Sequence, residues 1–240
     1  MNEIKDYYEK YWSKDGFYPR GRIWPGLTAI YQQYIPAKSK VLDIGCGDGQ
    51  TSGFFLKYHD HDYVGVDISE NAVHDARTIG LNAHCVEDAT KLPFLEDAFD
   101  AVVFIEVMEH LFEPNLIVKE IYRVLKPGGV FIATVPNIAF WRWRLDFFLL
   151  GRWNPIGDEL SVERPWRDPH IRFFTVGSLK RLVGLANFRS IKVSGHDGGI
   201  VRFIPFVRKA AKKRNSSLYR LIEKYFPSLF AYRLHIICRK

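Results

Sequence analysis

Residues 41–50 read VLDIGCGDGQ: an apolar strand with an acid, Asp43, inside it, followed at once by Gly45, Gly47 and Gly49. A strand that runs into such a cluster must turn sharply, and residues without a Cβ let the backbone approach a ligand closely. Ligands of open α/β sheets bind just beyond the carboxyl ends of the strands. This stretch therefore calls for an α/β sheet with a ligand held at its strand ends.

The rest of the chain agrees with such a sheet. From Lys40 onward, β-rich runs alternate with helical patterns. The predicted strands are KVLDI (40–44), YVGVD (63–67), AHCV (83–86), DAVVFI (100–105) and VFIATV (130–135). Helical patterns cover about 50–57, 70–79 and 114–124, the signature of a parallel sheet covered on both faces. LKPGGV (125–130) ends one helix and turns into the next strand. Residues 137–170 carry Trp141, Trp143, Trp153 and Trp166 without a clean period and read as an inserted cap. A helix over 176–186 and a strand over 188–194 resume the alternation, and YRLHIICRK (232–240) is a last strand. The expected parts are an N-terminal helical segment, 1–37, closing over the ligand and a core, 38–136. An aromatic, Arg-rich cap, 137–175, follows. The rest of the core, 176–240, carries a basic amphipathic insertion at about 199–230.

Composition narrows the setting. At 240 residues the chain buries one substantial core. Lys and Arg number 34 against 27 Asp and Glu, a net charge of +7 that favours an anionic partner without being a nucleic-acid-binding tail. Cys46, Cys85 and Cys238 are odd in number and lack a CxxC spacing, so neither a disulfide frame nor a zinc knuckle is expected. No stretch is apolar for the length of a bilayer crossing, and the start has no apolar signal core. The reading is a soluble, cytoplasmic chain.

Three acids sit at successive strand ends. Asp43 repels a phosphate and suits a cationic or ammonium-bearing ligand, and the GK[ST] ending of a Walker loop is absent. Asp67, in VGVDIS, has the spacing from the glycines at which a carboxylate takes ribose hydroxyls. Asp88, in EDATKLPF, is placed to accept from an adenine amino group.

Together, VLDIGCGDG, VGVDIS, EDATKLPF and LKPGG resemble the class I S-adenosylmethionine-dependent methyltransferases, over about residues 38 to 194. The resemblance implies a Rossmann-like, seven-stranded, mostly parallel sheet with helices on both faces and an antiparallel last strand. It also implies that S-adenosyl-L-methionine is held by Gly45 and Gly47 under its methionine part, Asp43 near its amino group, Asp67 on the ribose and Asp88 on the adenine. Cys46, Ile68, Ala89 and Ile105 complete the expected cofactor site. Arg22, in GRIWPG, resembles the arginine that holds the cofactor carboxylate in ubiquinone-pathway O-methyltransferases, with Arg20 as competitor.

IEVMEHL follows the fourth strand. On a helix, Glu106, Glu109 and His110 share one face, and two carboxylates with an imidazole suit Mg²⁺ or Mn²⁺. With the later His170 in DPHIRFFT, the pattern resembles the metal site of ubiquinone-pathway O-methyltransferases and of the small-RNA terminal 2′-O-methyltransferases. An EH pair here also occurs without metal, capping the helix. His110 or His170 is then the general base, and Glu106 is a further catalytic candidate.

Residues 135–155 resemble the corresponding segment of a bacterial methyltransferase-like protein of methionine biosynthesis. There Trp141, Trp143, Phe147 and Phe148 can wall off a pocket and Arg142, Arg144 and Arg152 can meet an anionic acceptor. The same residues also fit an amphipathic helix packed on the sheet. In the second insertion, Arg208, Lys209, Lys212, Lys213 and Arg214 suit an anionic membrane surface, RNA phosphates or plain solvation. A membrane contact would put the chain at the inner face of the membrane. The leading functional expectation is O-methylation of a hydroxyl on a small molecule, sugar or lipid-linked intermediate. The alternatives are RNA 2′-O-methylation and a non-catalytic, cofactor-binding partner of a biosynthetic enzyme.

Overall fold

A computed structural model describes residues 3–13, 25–152, 169–196 and 225–240. Arg20, Arg22, Trp153, Trp166 and the basic run from Arg208 to Arg214 lie outside them. Two helices, α1 (Glu3–Tyr11) and α2 (Pro25–Tyr34), precede the sheet. Then come β1 (Lys40–Ile44), α3 (Gly53–Tyr58), β2 (Asp62–Asp67), α4 (Glu70–Thr78), β3 (Ala83–Cys85) and β4 (Phe99–Ile105). A 3₁₀ turn (Met108–His110) leads to α5 (Pro114–Val124), β5 (Leu125–Pro136) and α6 (Trp141–Leu150). The described chain closes with α7 (Val176–Leu185), β6 (Arg189–His196), α8 (Pro227–Phe230) and β7 (Arg233–Arg239).

The seven strands form one sheet in the order β3-β2-β1-β4-β5-β7-β6. β1 to β5 pair in parallel, and β7 runs antiparallel to both β5 and β6. From β1 the chain steps outward through β2 and β3, then returns to the other side of β1 for β4. That reversal makes the β1–β4 boundary the switch point, where a crevice opens above the strand ends. The glycine run leaves β1 there, and Glu106 leaves β4 beside it.

The strands are buried on both faces, which is why they read as apolar runs rather than alternating ones. One face carries Leu42, Ile44, Val102, Phe104, Phe131 and Ala133 against Ile117, Val118, Ile121 and Val124 of α5. The other carries Val41, Ala101, Val103 and Ile132 against Leu27 and Tyr31 of α2 and Val73 and Ala76 of α4. Helix starts follow local chemistry. The Ser69 hydroxyl accepts from Ala72 N–H at α4, and Thr175 and Ser178 form a reciprocal cap at α7.

Two expectations need correction. β5 begins at Leu125, not 130: Leu125 pairs with Phe99, then the register shifts so that Val130 meets Ala101. Lys126 to Gly129 bulge between those pairs, with Gly128 at φ +78°. Within 137–170, expected to lack a period, residues 141–150 form a regular helix.

Candidate functional site at the strand ends

The glycine loop is tied to the sheet from below. The amides of Gly45 and Cys46 both donate to Val66 O, at 2.8 and 3.0 Å. Gly45 and Gly47 have φ of +71° and +55°, where side chains are strained. A Cβ on Gly45 would stand 2.4 Å from Val107 Cγ2, and one on Gly47 2.5 Å from Trp12 Cη2. The loop is bare because neighbours press on it from two sides.

Asp67 closes the loop from β2. Its Oδ2 accepts from Gly47 N–H at 2.9 Å and its Oδ1 from Ser69 N–H at 3.0 Å. Burial raises this carboxyl, although those amides work against the rise. Asp43 is 2 % exposed and accepts from Tyr63 OH at 2.9 Å. Burial pushes it up to about 7, with Tyr63 opposing and Asp67 adding to the effect. Two buried carboxyls that both ionise reluctantly favour a positive ligand over an anionic one. Asp88 differs, being exposed and binding the amide and hydroxyl of Thr90 at 2.9 and 2.5 Å. Those bonds hold it below the usual carboxylate range. Cys46 and Ile105 are buried, and Ile68 and Ala89 half-buried, along the same rim.

α1 covers this rim, and its residues were not singled out from the sequence. The Glu9 carboxylate accepts from Ser69 Oγ (2.8 Å), Glu70 N–H (2.7 Å) and Asn71 N–H (3.1 Å) at the start of α4. Despite the opposing effect of burial, those donors hold Glu9 below its ordinary range. Trp12 lies on Gly47, and the Tyr8 ring stands edge-on to His110 at 6.2 Å. The available signal was the i, i+4 spacing of Tyr8 and Trp12, which puts both on one helical face.

Beyond the switch point, Glu109, His110 and His170 bring ligand atoms within 4.8 Å of one another. Glu109 O accepts from Ile171 and Arg172 N–H, at 3.0 and 2.9 Å, and so fixes the later segment beside the turn. Glu109 Oε1 lies 3.9 Å from His110 Nε2 and 3.7 Å from His170 Nε2. Glu109 is 1 % exposed, and neither of its carboxylate oxygens has a hydrogen-bond partner among the described residues. Burial first, and the charge of Glu106 second, push it well above its ordinary value. His110 Nδ1 is 3.2 Å from Pro169 O. A carbonyl only accepts, so Nδ1 carries the proton and the Nε2 lone pair turns toward Glu109.

Glu106 does not join them. The expected helix is one 3₁₀ turn, and Glu106 precedes it at φ +55° with its N–H still donating to Thr134 O of β5. Its Oε2 accepts from Arg233 Nε at 3.0 Å. The cluster is therefore two imidazoles and one carboxylate, a set better suited to Mn²⁺, Fe²⁺ or Zn²⁺ than to Mg²⁺. A buried carboxylate without donors beside two imidazoles fits a bound cation. Phe147 and Phe148 do not enclose a pocket: they are 54 % and 83 % exposed and line an open groove with Ile138, Trp141 and Leu145.

Residues 42–133 match the model of a family described as "Methyltransferase domain". The chain is 31 % identical over 170 residues to a tRNA (carboxymethyluridine(34)-5-O)-methyltransferase of Arabidopsis thaliana, covering 65 % of this chain and 39 % of that protein. It is 28 % identical to a ubiquinone biosynthesis O-methyltransferase of Idiomarina loihiensis over 78 % of this chain and 77 % of the relative. It thus spans less than half the length of the plant relative. Among solved structures, a SAM-dependent methyltransferase from Archaeoglobus fulgidus superposes with a TM-score of 0.62 at 20 % identity, covering 89 % of this chain and 93 % of that one.

Proposed function

We propose that this chain is a class I S-adenosylmethionine-dependent methyltransferase, as the methyltransferase domain matched at residues 42–133 and the fold support, and that it methylates a hydroxyl oxygen of a small molecule, sugar or lipid-linked intermediate. The observation that carries the choice of oxygen is the cluster of Glu109, His110 and His170 beside the cofactor rim. A hydroxyl is a poor nucleophile until its proton leaves, and this cluster offers two imidazoles to receive it.

The cofactor, when bound, supplies an electrophilic methyl group on a positively charged sulfur. Gly45 and Gly47 would let the main chain lie against it, Asp67 would take the ribose hydroxyls, Asp88 the adenine amino group, and Asp43 would meet its positive end. α1 excludes water from above through Tyr8 and Trp12. The residues of this rim would align an acceptor oxygen with the donor's methyl group, and the donor's sulfur would leave with the electron pair of the broken carbon–sulfur bond. The acceptor proton passes to Nε2 of His170 or His110. Alignment and dehydration are the enzyme's main contributions to a one-step displacement. With a divalent ion held by Glu109, His110 and His170, the imidazole nitrogens would be ligands instead of proton acceptors, and the ion would acidify a bound hydroxyl. The similarity to two O-methyltransferases supports this reading.

The test is turnover with a methyl-labelled donor over a panel of phenols, sugars, lipid-linked sugars and RNA, with the product's methyl position read by mass spectrometry. The expected product is a methyl ether, lost in a His110→Ala, His170→Ala double variant. Methyl on nitrogen or carbon, or undiminished turnover in that variant, overturns the proposal.

A further inference from the structure

Asp43 pairs with Gly65 across β1 and β2, and Val41 pairs with Tyr63. Side chains two apart on a strand share a face, so Tyr63 stands on the same face as Gly65 and its neighbour Asp43. With no side chain at Gly65, the Tyr63 phenol runs along the sheet over that position, and its hydroxyl donates to Asp43 Oδ2 at 2.9 Å. A Cβ on Gly65 would stand 2.8 Å from that hydroxyl and 2.8 Å from Cys46 Sγ. One on Gly53, at the start of α3, would stand 2.7 Å from the same hydroxyl. Two glycines thus leave the room that this phenol fills.

Both partners are buried. Burial first, and the Asp43 carboxylate second, push the Tyr63 phenol well above its ordinary value, so the hydroxyl keeps its proton and remains a donor. Tyr63 in turn opposes the rise that burial imposes on Asp43. Among the described residues, the other titratable groups facing Asp43 are Asp67 of β2, Tyr31 of α2 and Cys46 of the glycine loop. Tyr31 and Cys46 are pushed up by burial and stay uncharged near neutrality, and the Tyr31 hydroxyl bonds with Ser52 Oγ at 2.7 Å. Asp67 is engaged with the amides of Gly47 and Ser69.

We propose that Tyr63 is a positioning residue for the methyl donor: its hydroxyl anchors Asp43 by Oδ2, so that Oδ1 is presented to the donor's amino group. A carboxylate already fixed by one oxygen has less freedom to lose when the ligand arrives. A hydrogen bond to the ionised form also favours that form. Tyr63 therefore extends to lower pH the range in which Asp43 can meet an ammonium group. This role rests on the proposed reading of the crevice as the methyl donor's site, whatever atom is methylated.

The experiment is calorimetric titration of the full chain with the demethylated donor, which keeps the amino group, from about pH 6 to about pH 9. Tyr63→Phe removes only the hydroxyl, and loss of that donor raises the Asp43 titration further. Near neutrality the variant is expected to bind about fivefold more weakly than the wild type. The gap should close toward about pH 9, where Asp43 is ionised in both proteins. A variant that merely packed less well would lose the same factor at every pH. Equal binding throughout, or a loss independent of pH, overturns the proposal. A wild type that binds no donor overturns it together with the reading of the crevice, so the two failures are distinct. Should circular dichroism show Tyr63→Phe unfolded, Gly65→Ala takes its place: the added methyl displaces the hydroxyl, and the same pH-dependent loss is expected.

Discussion

Glu9 and Ser69 lie 60 positions apart in the chain and 2.8 Å apart in space. The same serine donates its amide to Asp67 Oδ1 and accepts from Ala72 N–H. One residue therefore connects the docking of α1, the start of α4 and the orientation of the carboxylate assigned to the ribose. A helix of nine residues is marginal by itself, so its place over the rim rests on contacts such as these.

Replacing Glu9 with Ala should free α1 and weaken cofactor binding. The loss resembles removal of a helix cap, about 1 kcal/mol or roughly fivefold in Kd. Calorimetry with the demethylated cofactor reads the affinity, and amide hydrogen exchange should show faster opening of α1 alone. Unchanged exchange in α1 would refute the coupling.

Cofactor affinity should rise with pH across the titration of Asp43. Its folded value, about 7, lies above the ordinary carboxylate range, so the folded chain holds a proton that the unfolded chain has released. The stability this contributes is present below the ordinary range and is lost as pH rises through about 7. A positive ligand reverses the balance by favouring the ionised form, so binding near neutrality expels a proton. Titrations in two buffers of different ionisation enthalpy should give different observed heats, and Asp43→Asn should abolish the difference.

Glu109→Leu should make the metal-free protein more stable and less active. The wild-type carboxyl is buried without hydrogen-bond donors, which costs roughly 1–3 kcal/mol. Thermal melting after chelation should show a raised midpoint, while turnover falls by about 10²–10⁴-fold if the cluster serves proton transfer. A lowered midpoint would show that Glu109 stabilises the fold instead.

Gly47→Ala should act on α1 through Trp12. The added methyl needs the space now taken by the indole, at a backbone angle costing about 1–2 kcal/mol for a side chain. The expected result is a folded protein with weaker cofactor binding and altered tryptophan fluorescence. Unchanged fluorescence would place Trp12 elsewhere in solution.

The sheet was readable because its strands are covered on both faces, which writes them as unbroken apolar runs such as Ala101 to Ile105. The glycine loop and the acids at 43 and 67 were readable because backbone and charge requirements fall on adjacent positions. The grouping of Glu106 with Glu109 and His110 was not. It assumed a helical period where the chain makes a single 3₁₀ turn, and the strand hydrogen bond of Glu106 to Thr134 holds it outside that turn.

What the chain's order of residues determined was the strands of the sheet, the bend after β1 and the acids set beside it, since each depends on neighbours in sequence. The meeting of His170 with Glu109, of Arg233 with Glu106 and of Glu9 with Ser69 was decided only in three dimensions. Each joins segments separated by tens of residues through a few directional hydrogen bonds, and such bonds leave no period along the chain.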